Sequence, residues 1–442
     1  MPRSVRPRFW SRKPSRLPAP DRIADLRDRA KTLFARACQA AEPAAALAAA
    51  LADAPLPRPD AGGVYRIVSV GKAAIPMAAF LLDALSGAPV EAIVVTNHEN
   101  ARPLPGATVH AAGHPVPDEN GARAAEAVEA LLAFASPADR VIALISGGGS
   151  ALLPAPVAGL TLGDKAEVNR LLLASGFEIT EMNLVRQQLS RLKGGGLLRV
   201  AAPAPVTAYI LSDVIGDDLR VIASGPTVAP IGTRVEARAL LTARGVWARL
   251  PAAVQAVLDR DDAPGPDLPA ARNILIGSNR KSLDAIVATA GPEASIVNDH
   301  LTGDVGDAAG VIVAAAENAD PDRAHCLVFG GETTVILRGQ GLGGRNQELS
   351  LRVALAMPDL CRDWVFLSGG TDGRDGPTDA AGGIVDAGTA ARIRASGGDP
   401  SALLADNDSH AALALAGDLL VTGASGTNVA DVQVLLLGPL RR

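Results

Sequence analysis

Aromatic side chains are scarce in this sequence, with Phe, Trp and Tyr at 3% of 442 residues. Its cores must therefore come from Ala, Val, Leu and Ile, which favours α/β layers and argues against a base-stacking surface for single-stranded nucleic acid. A formal net charge of -5 gives no global attraction to DNA or anionic lipid. The three cysteines, Cys38, Cys326 and Cys361, form no CxxC pair, so packed thiols in a reducing cytoplasm are expected rather than a disulfide framework. The six histidines show no HExxH or other paired spacing, which leaves no zinc signature. Apolar runs long enough for a membrane span are also missing. The expectation is a cytoplasmic protein with small-molecule partners, bound to neither nucleic acid nor membrane, as a monomer or homodimer.

The length exceeds what one core usually serves, so two domains are expected. Residues 1–20, rich in Arg, Pro and Ser, read as a disordered basic tail. From Asp21, apolar residues at helical spacing (Ile23, Leu26, Ala30, Leu33, Phe34) predict a helix covering a sheet face. From Val64 to about residue 258, strand-like and helix-like runs alternate, predicting βαβ units with a mainly parallel sheet and ligands at the strands' carboxyl ends. Residues 259–271 concentrate Asp and Pro and read as a linker. A second alternating set, 272–442, opens on NILIG and continues through HCLVFGG, TTVILRG, WVFLSGG and VQVLLLG. The expected fold class is α/β: two α/β/α three-layer domains, the first Rossmann-like, with the active-site cleft between them.

What is abundant is glycine at strand ends. In VIALISGGGSALLP a buried-type strand runs into Ser146, Gly147, Gly148, Gly149 and Ser150, where missing Cβ atoms let backbone amides turn toward a small anion. Similar loops hold Gly330, Gly331, Glu332 and Thr333, then Gly343 and Gly344 ahead of Arg345 and Asn346. Lys193 precedes the run Gly194 to Gly196. The loops together suit a phosphate-rich ligand, yet the Walker A pattern is absent, since Arg66 and Ala73 stand where its leading Gly and its hydroxyl should be. Lys72 heads a helix, where a cation opposes the dipole unless an anion offsets it. Arg345, after a flexible loop, could clamp a carboxylate or a transferring phosphoryl group. Asp213 and Asp372 lie at two strand ends and are candidates for Mg²⁺ or for a general base. His114 reads as a loop histidine more readily than as a base.

Together the runs VGKAA, GHPVPDENG, ISGGGSALL, LSDVIGDD, GGETTV, GGRNQE, SGGTDGRDGPTDAAGG and TGASGTNVADVQVLL resemble the class II glycerate 2-kinases, whose C-terminal part is the MOFRL domain. The resemblance covers nearly all of residues 21–440. It implies a two-domain α/β protein that transfers the γ-phosphoryl of ATP to the 2-hydroxyl of D-glycerate with Mg²⁺. The family's active-site lysine falls on Lys72 and its arginine on Arg345. On this reading Lys72, Arg345 and Asp213 are catalytic, Asp213 or Asp372 carries the metal, and the glycine loops with Lys193 hold nucleotide, all facing one shared anion cradle. An NAD(P)H-dependent hydroxypyruvate reductase is the alternative. It calls for GxGxxG after the first strand, where VSVGKAAIPMA offers a single glycine. A non-catalytic sugar-phosphate sensor would use neither Lys72 nor the acidic clusters.

Overall fold

The computed structural model describes residues 20–260 and 267–441. All but the last residue of the expected tail, and part of the expected linker, lie outside them. Two six-stranded sheets organise the chain. The first contains β1 (Tyr65–Val70), β2 (Val90–Asn97), β3 (Thr108–Ala112), β4 (Arg140–Ile145), β5 (Val206–Leu211) and β6 (Ala271–Gly277). Every neighbouring pair is parallel, and the order is β3-β2-β1-β4-β5-β6. The chain departs in opposite directions from β1 and β4, so a crevice opens at the carboxyl ends of these two strands, the place where open α/β sheets bind ligands.

The period of two in these strands sends alternate side chains to two helical layers. Ile67, Val94, Ile142, Leu144 and Tyr209 face the helices Pro43–Asp53 and Ala74–Ala84. Val68, Val95, Val141, Ala143 and Ile210 face Glu119–Ala133 and Gly196–Ala201. Arg66 interrupts the apolar run of β1 but is satisfied by Glu91, by Asp139 at 3.2 Å and by two backbone carbonyls, as a buried cation must be.

The remaining strands are β7 (Ala294–Asn298), β8 (Gly303–Asp304), β9 (His325–Gly331), β10 (Thr333–Thr334), β11 (Arg362–Gly370), β12 (Gly382–Asp386), β13 (Leu419–Leu420) and β14 (Asp431–Leu440). β8 and β10 form a small parallel pair. The others form the second sheet in the order β13-β12-β11-β14-β9-β7, in which only β7 and β9 run parallel. One face carries the helices Pro20–Ala40 and Asn279–Ala290, and the other carries Val305–Asn318, Arg345–Ala356 and Ser409–Ala416. Each sheet is therefore the middle of three layers.

Three expectations change. NILIG does not open the second unit: as β6 it pairs with β5 at the edge of the first sheet, with Ile276 buried in that sheet's core. The helix Pro20–Ala40 covers the second sheet rather than the first. Its Leu33 and Phe34 pack among Val365, Leu367 and Val432, while Arg27 reaches Asp386 at 2.5 Å and Asp418 at 2.7 Å. The chain thus starts on one unit, builds the other and returns. Local periodicity specifies a strand or helix but not which sheet takes it. Finally, the TTVILRG run is a strand only at Thr333–Thr334 and leaves Ile336 and Leu337 at 58% and 79% exposure.

Phe34 is 2% exposed, and its ring lies against Gly369, where a Cβ would come within 2.8 Å of it. Phe34→Ala should lower the unfolding free energy by about 3–5 kcal/mol, the scale of a buried phenyl and its cavity, as read by urea denaturation.

Candidate active site

The turns after β1 and β4 interlock. The Lys72 amide donates to the Gly147 carbonyl at 2.9 Å, and the Ala73 amide donates to Ser146 Oγ at 3.1 Å. Asn100 Nδ2 donates to the Lys72 carbonyl at 3.0 Å. Gly71 has φ of 123°, and a Cβ there would sit 2.1 Å from Ser146 Oγ. A Cβ on Gly147 would strike Asp213 Oδ2 at 2.1 Å, and one on Gly148 would stand 3.1 Å from the His114 ring and 3.5 Å from Lys72 Cγ. The glycines are therefore needed for close approach: they bring Lys72, His114 and Asp213 around one turn. Among the described residues the Gly147 and Gly148 amides donate to no chain acceptor.

Electrostatics follow from this crowding. Burial pushes the Asp213 carboxyl up, opposed by its own backbone amide and by the Lys72 charge. Burial pushes the His114 imidazole down, and Lys72 adds to that effect, so the ring is neutral near pH 7.

Three cavities surround the turn and the second sheet. A cavity of about 730 Å³ lies between the two units, lined by Lys72, His114, Ser146 and Gly147 on one side and by Asp372, Arg374 and Asn428 on the other. A second, of about 510 Å³, belongs to the second unit and is lined by Glu332, Thr333, Gly343, Gly344, Arg345 and Asp375. A third, of about 190 Å³, takes in Gly148, Ser150, Lys193 and, again, His114. Asp213, Gly149, Gly330, Gly331 and Asn346 line none of them.

The expectation of one shared cradle is not met, because Lys72 and Arg345 face different cavities. The segment 370–376 stands between them, with Asp372 and Arg374 toward Lys72 and Asp375 and Gly376 toward Arg345. The Arg345 guanidinium is already occupied: Nε and Nη2 fork onto Asp431 at 2.5 and 3.0 Å, and Nη1 meets Glu332 at 3.1 Å. Its helix terminus is occupied too, since Asp375 accepts the amides of Asn346 and Gln347 at 3.1 and 2.8 Å. Burial outweighs those bonds and pushes the Asp375 carboxyl up to about 6.

The glycines before Arg345 serve packing. Cβ atoms on Gly339, Gly341 and Gly343 would lie 2.2 to 2.4 Å from residues Asp406, Asp408 and Ser409. Gly330 abuts Asn279, Gly331 abuts Leu301, and Asn346 accepts from Ser368 at 2.6 Å. Glycine frequency alone does not separate such contacts from ligand loops.

Among the described residues no three His, Cys, Asp or Glu side chains converge as a metal cage. A magnesium ion bound through nucleotide phosphates needs only one or two protein carboxylates. Asp372, which lines the large cavity and whose Oδ1 caps the Arg374 amide at 2.9 Å, fits that lighter requirement, whereas Asp213 stands beside Lys72 but lines no cavity. Sequence reasoning passed over Arg374, Lys165 and Arg186 and ranked His114 low. In isolation each reads as an ordinary loop or helix-surface residue.

A doubly layered parallel sheet with a glycine turn at its switch point, facing a second three-layer unit across a polar cavity, defines a two-unit α/β protein built around an anion-accepting crevice. The chain belongs to the class II glycerate 2-kinase family. Residues 29–259 match the family described as domain of unknown function DUF4147, and residues 325–431 match the MOFRL family. The chain is 39% identical over 380 residues to the D-glycerate 2-kinase of Thermotoga maritima, covering 84% of this chain and 90% of that one. It is 41% identical over 383 residues to an Agrobacterium vitis protein provisionally named a hydroxypyruvate reductase, covering 84% and 87%. The crystal structure of glycerate kinase from Thermotoga maritima superposes with a TM-score of 0.86 at 35% identity, over 94% of this chain and all of that one.

Asp431 is fully buried beneath Arg345. Arg345→Ala should therefore lower stability by about 3 kcal/mol or more by stranding that carboxylate, whereas Arg345→Ala with Asp431→Asn should recover much of the loss in the same urea titration.

Proposed function

We propose that the chain is a D-glycerate 2-kinase, transferring the γ-phosphoryl group of ATP to the 2-hydroxyl of D-glycerate to give 2-phosphoglycerate and ADP. The observation that carries this is Lys72, fixed by the glycine turn at the sheet's switch point and directed into the cavity shared by both units. The relatives named as glycerate 2-kinases support the substrate assignment.

Phosphoryl transfer depends on positioning and charge neutralisation. Lys72 and the free amides of Gly147 and Gly148 neutralise the moving phosphoryl group. The substrate oxygen bonds to the γ-phosphorus as the bond to the β,γ-bridging oxygen breaks, and ADP leaves. Neutral His114, beside Lys72, accepts the hydroxyl proton. Asp372 would hold Mg²⁺, which when bound supplies further charge neutralisation at the phosphates.

A reductase has one structural feature in its favour, the strand order shared with dinucleotide-binding sheets. Against it, the first turn carries Lys72 where such folds place glycine for the pyrophosphate, and the Ala73 amide is held by Ser146. With hydroxypyruvate and NADH or NADPH, absorbance at 340 nm should stay constant. Steady cofactor oxidation would reinstate the reductase.

Lys72→Ala should lower kcat by about a hundredfold or more, the scale of a lost electrostatic stabiliser, with the thermal midpoint little changed. ³¹P NMR of the wild-type product should show 2-phosphoglycerate; 3-phosphoglycerate would contradict the assigned regiochemistry.

A further inference from the structure

The third cavity is cationic in an unusual way. Lys165, Arg186 and Lys193 line it, and among the described residues no Asp or Glu does. Among the described residues their partners are all neutral. Lys193 Nζ donates to the carbonyl and hydroxyl of Ser150 at 2.6 and 2.7 Å, Arg186 Nε donates to Asn169 Oδ1 at 3.0 Å, and Lys165 Nζ donates to the Pro154 carbonyl. Arg27, Arg66 and Arg191, by contrast, are matched with carboxylates. Here three basic side chains share a partly buried cavity with no carboxylate among the described residues.

Such an arrangement raises the free energy of the empty protein, since burial and mutual repulsion both disfavour the charged forms. Burial and the charges of Arg191 and Arg186 push the Lys165 ammonium down to about 7, and burial with Lys165 and Arg186 pushes Lys193 well below its usual range. A ligand bringing several negative charges offsets that penalty. The Ser150 hydroxyl donates to Ser224 Oγ at 2.7 Å and Ser224 in turn donates to Asn183 at 2.8 Å, which fixes the Ser150 oxygen as an acceptor for the Lys193 ammonium.

Two observations choose the ligand. The cavity, about 190 Å³, has room for phosphate groups but not for a nucleoside. Gly148 and His114 line it, His114 also lines the Lys72 cavity, and Gly148 stands against Lys72, so an anion here would end beside Lys72. A hydroxy-acid carboxylate carries one charge against three cations, whereas a phosphate chain matches them. We propose that Lys165, Arg186 and Lys193 form the seat for the phosphate tail of the nucleoside triphosphate, with its terminal group directed toward Lys72. This deepens the kinase reading and rests on it for the identity of the nucleotide, while the anion site rests on the cavity alone.

Calorimetric titration of the full-length protein with tripolyphosphate tests the site directly. Lys165→Met and Arg186→Met should each weaken tripolyphosphate binding about tenfold or more, the loss of one charge-assisted contact. KM for ATP should rise by a similar factor, and KM for D-glycerate should move less than about threefold. In parallel, acetic anhydride labelling of the wild-type protein, mapped by mass spectrometry, should modify Lys165 and be suppressed by tripolyphosphate; this arm needs no variant to fold. Unchanged tripolyphosphate affinity in folded variants, or labelling of Lys165 that tripolyphosphate leaves untouched, would overturn the proposal. So would a rise confined to the D-glycerate KM, which would give the cavity to the acid. Lys165-dependent tripolyphosphate binding in a protein that phosphorylates no glycerate would keep the site and remove the kinase reading; intact kinase activity in variants with unaltered binding would do the reverse.

Discussion

Two backbone hydrogen-bond donors hold the crevice together. The amides of Lys72 and Ala73 are taken by Gly147 and Ser146, so the turn after β1 cannot move without the turn after β4. That coupling is possible because Gly71 and Gly147 have no Cβ. It fixes the base of the lysine, packs Asp213 and His114 around it, and leaves the amides of Gly147 and Gly148 without acceptors among the described residues. Buried charges elsewhere, such as Arg66 and Asp431, find partners.

Charge on the two sides is handled differently. On the second unit, Arg345, Glu332, Asp375 and Asp431 neutralise one another, and the helix amides beside them are capped by a carboxylate. On the first unit, Lys165, Arg186 and Lys193 have only neutral acceptors among the described residues. A polyanion is therefore received more readily on the first unit, and the second contributes the opposite wall of the large cavity through Asp372, Arg374 and Asn428.

Much of this was legible in the sequence, and the failures have a common cause. The apolar runs of β1, β2, β4 and β5 and the glycine turn at 146–150 are local signals, and each element forms where its pattern places it. Lys72 was legible because a lysine heading a helix after a buried strand calls for an explanation. Sheet membership was not: nothing within NILIG says that it will extend the first sheet, and nothing within the helix Pro20–Ala40 says that it will cover the second. The loop 339–344 misled for a related reason. Its glycines answer to residues Asp406 to Ser409, some seventy positions away, and that contact has no local signature. Lys165 and Arg186 were missed because their company is set by tertiary packing, which brings two helices over the Ser150 turn.

The most direct test of this account is a crystal structure of the protein with a non-hydrolysable ATP analogue and D-glycerate. The account predicts the triphosphate lying across the Gly148 turn, its tail against Lys165, Arg186 and Lys193 and its terminal phosphate at Lys72, with the 2-hydroxyl facing that phosphorus. A triphosphate seated instead in the Arg345 cavity of the second unit, away from Lys72, would contradict it.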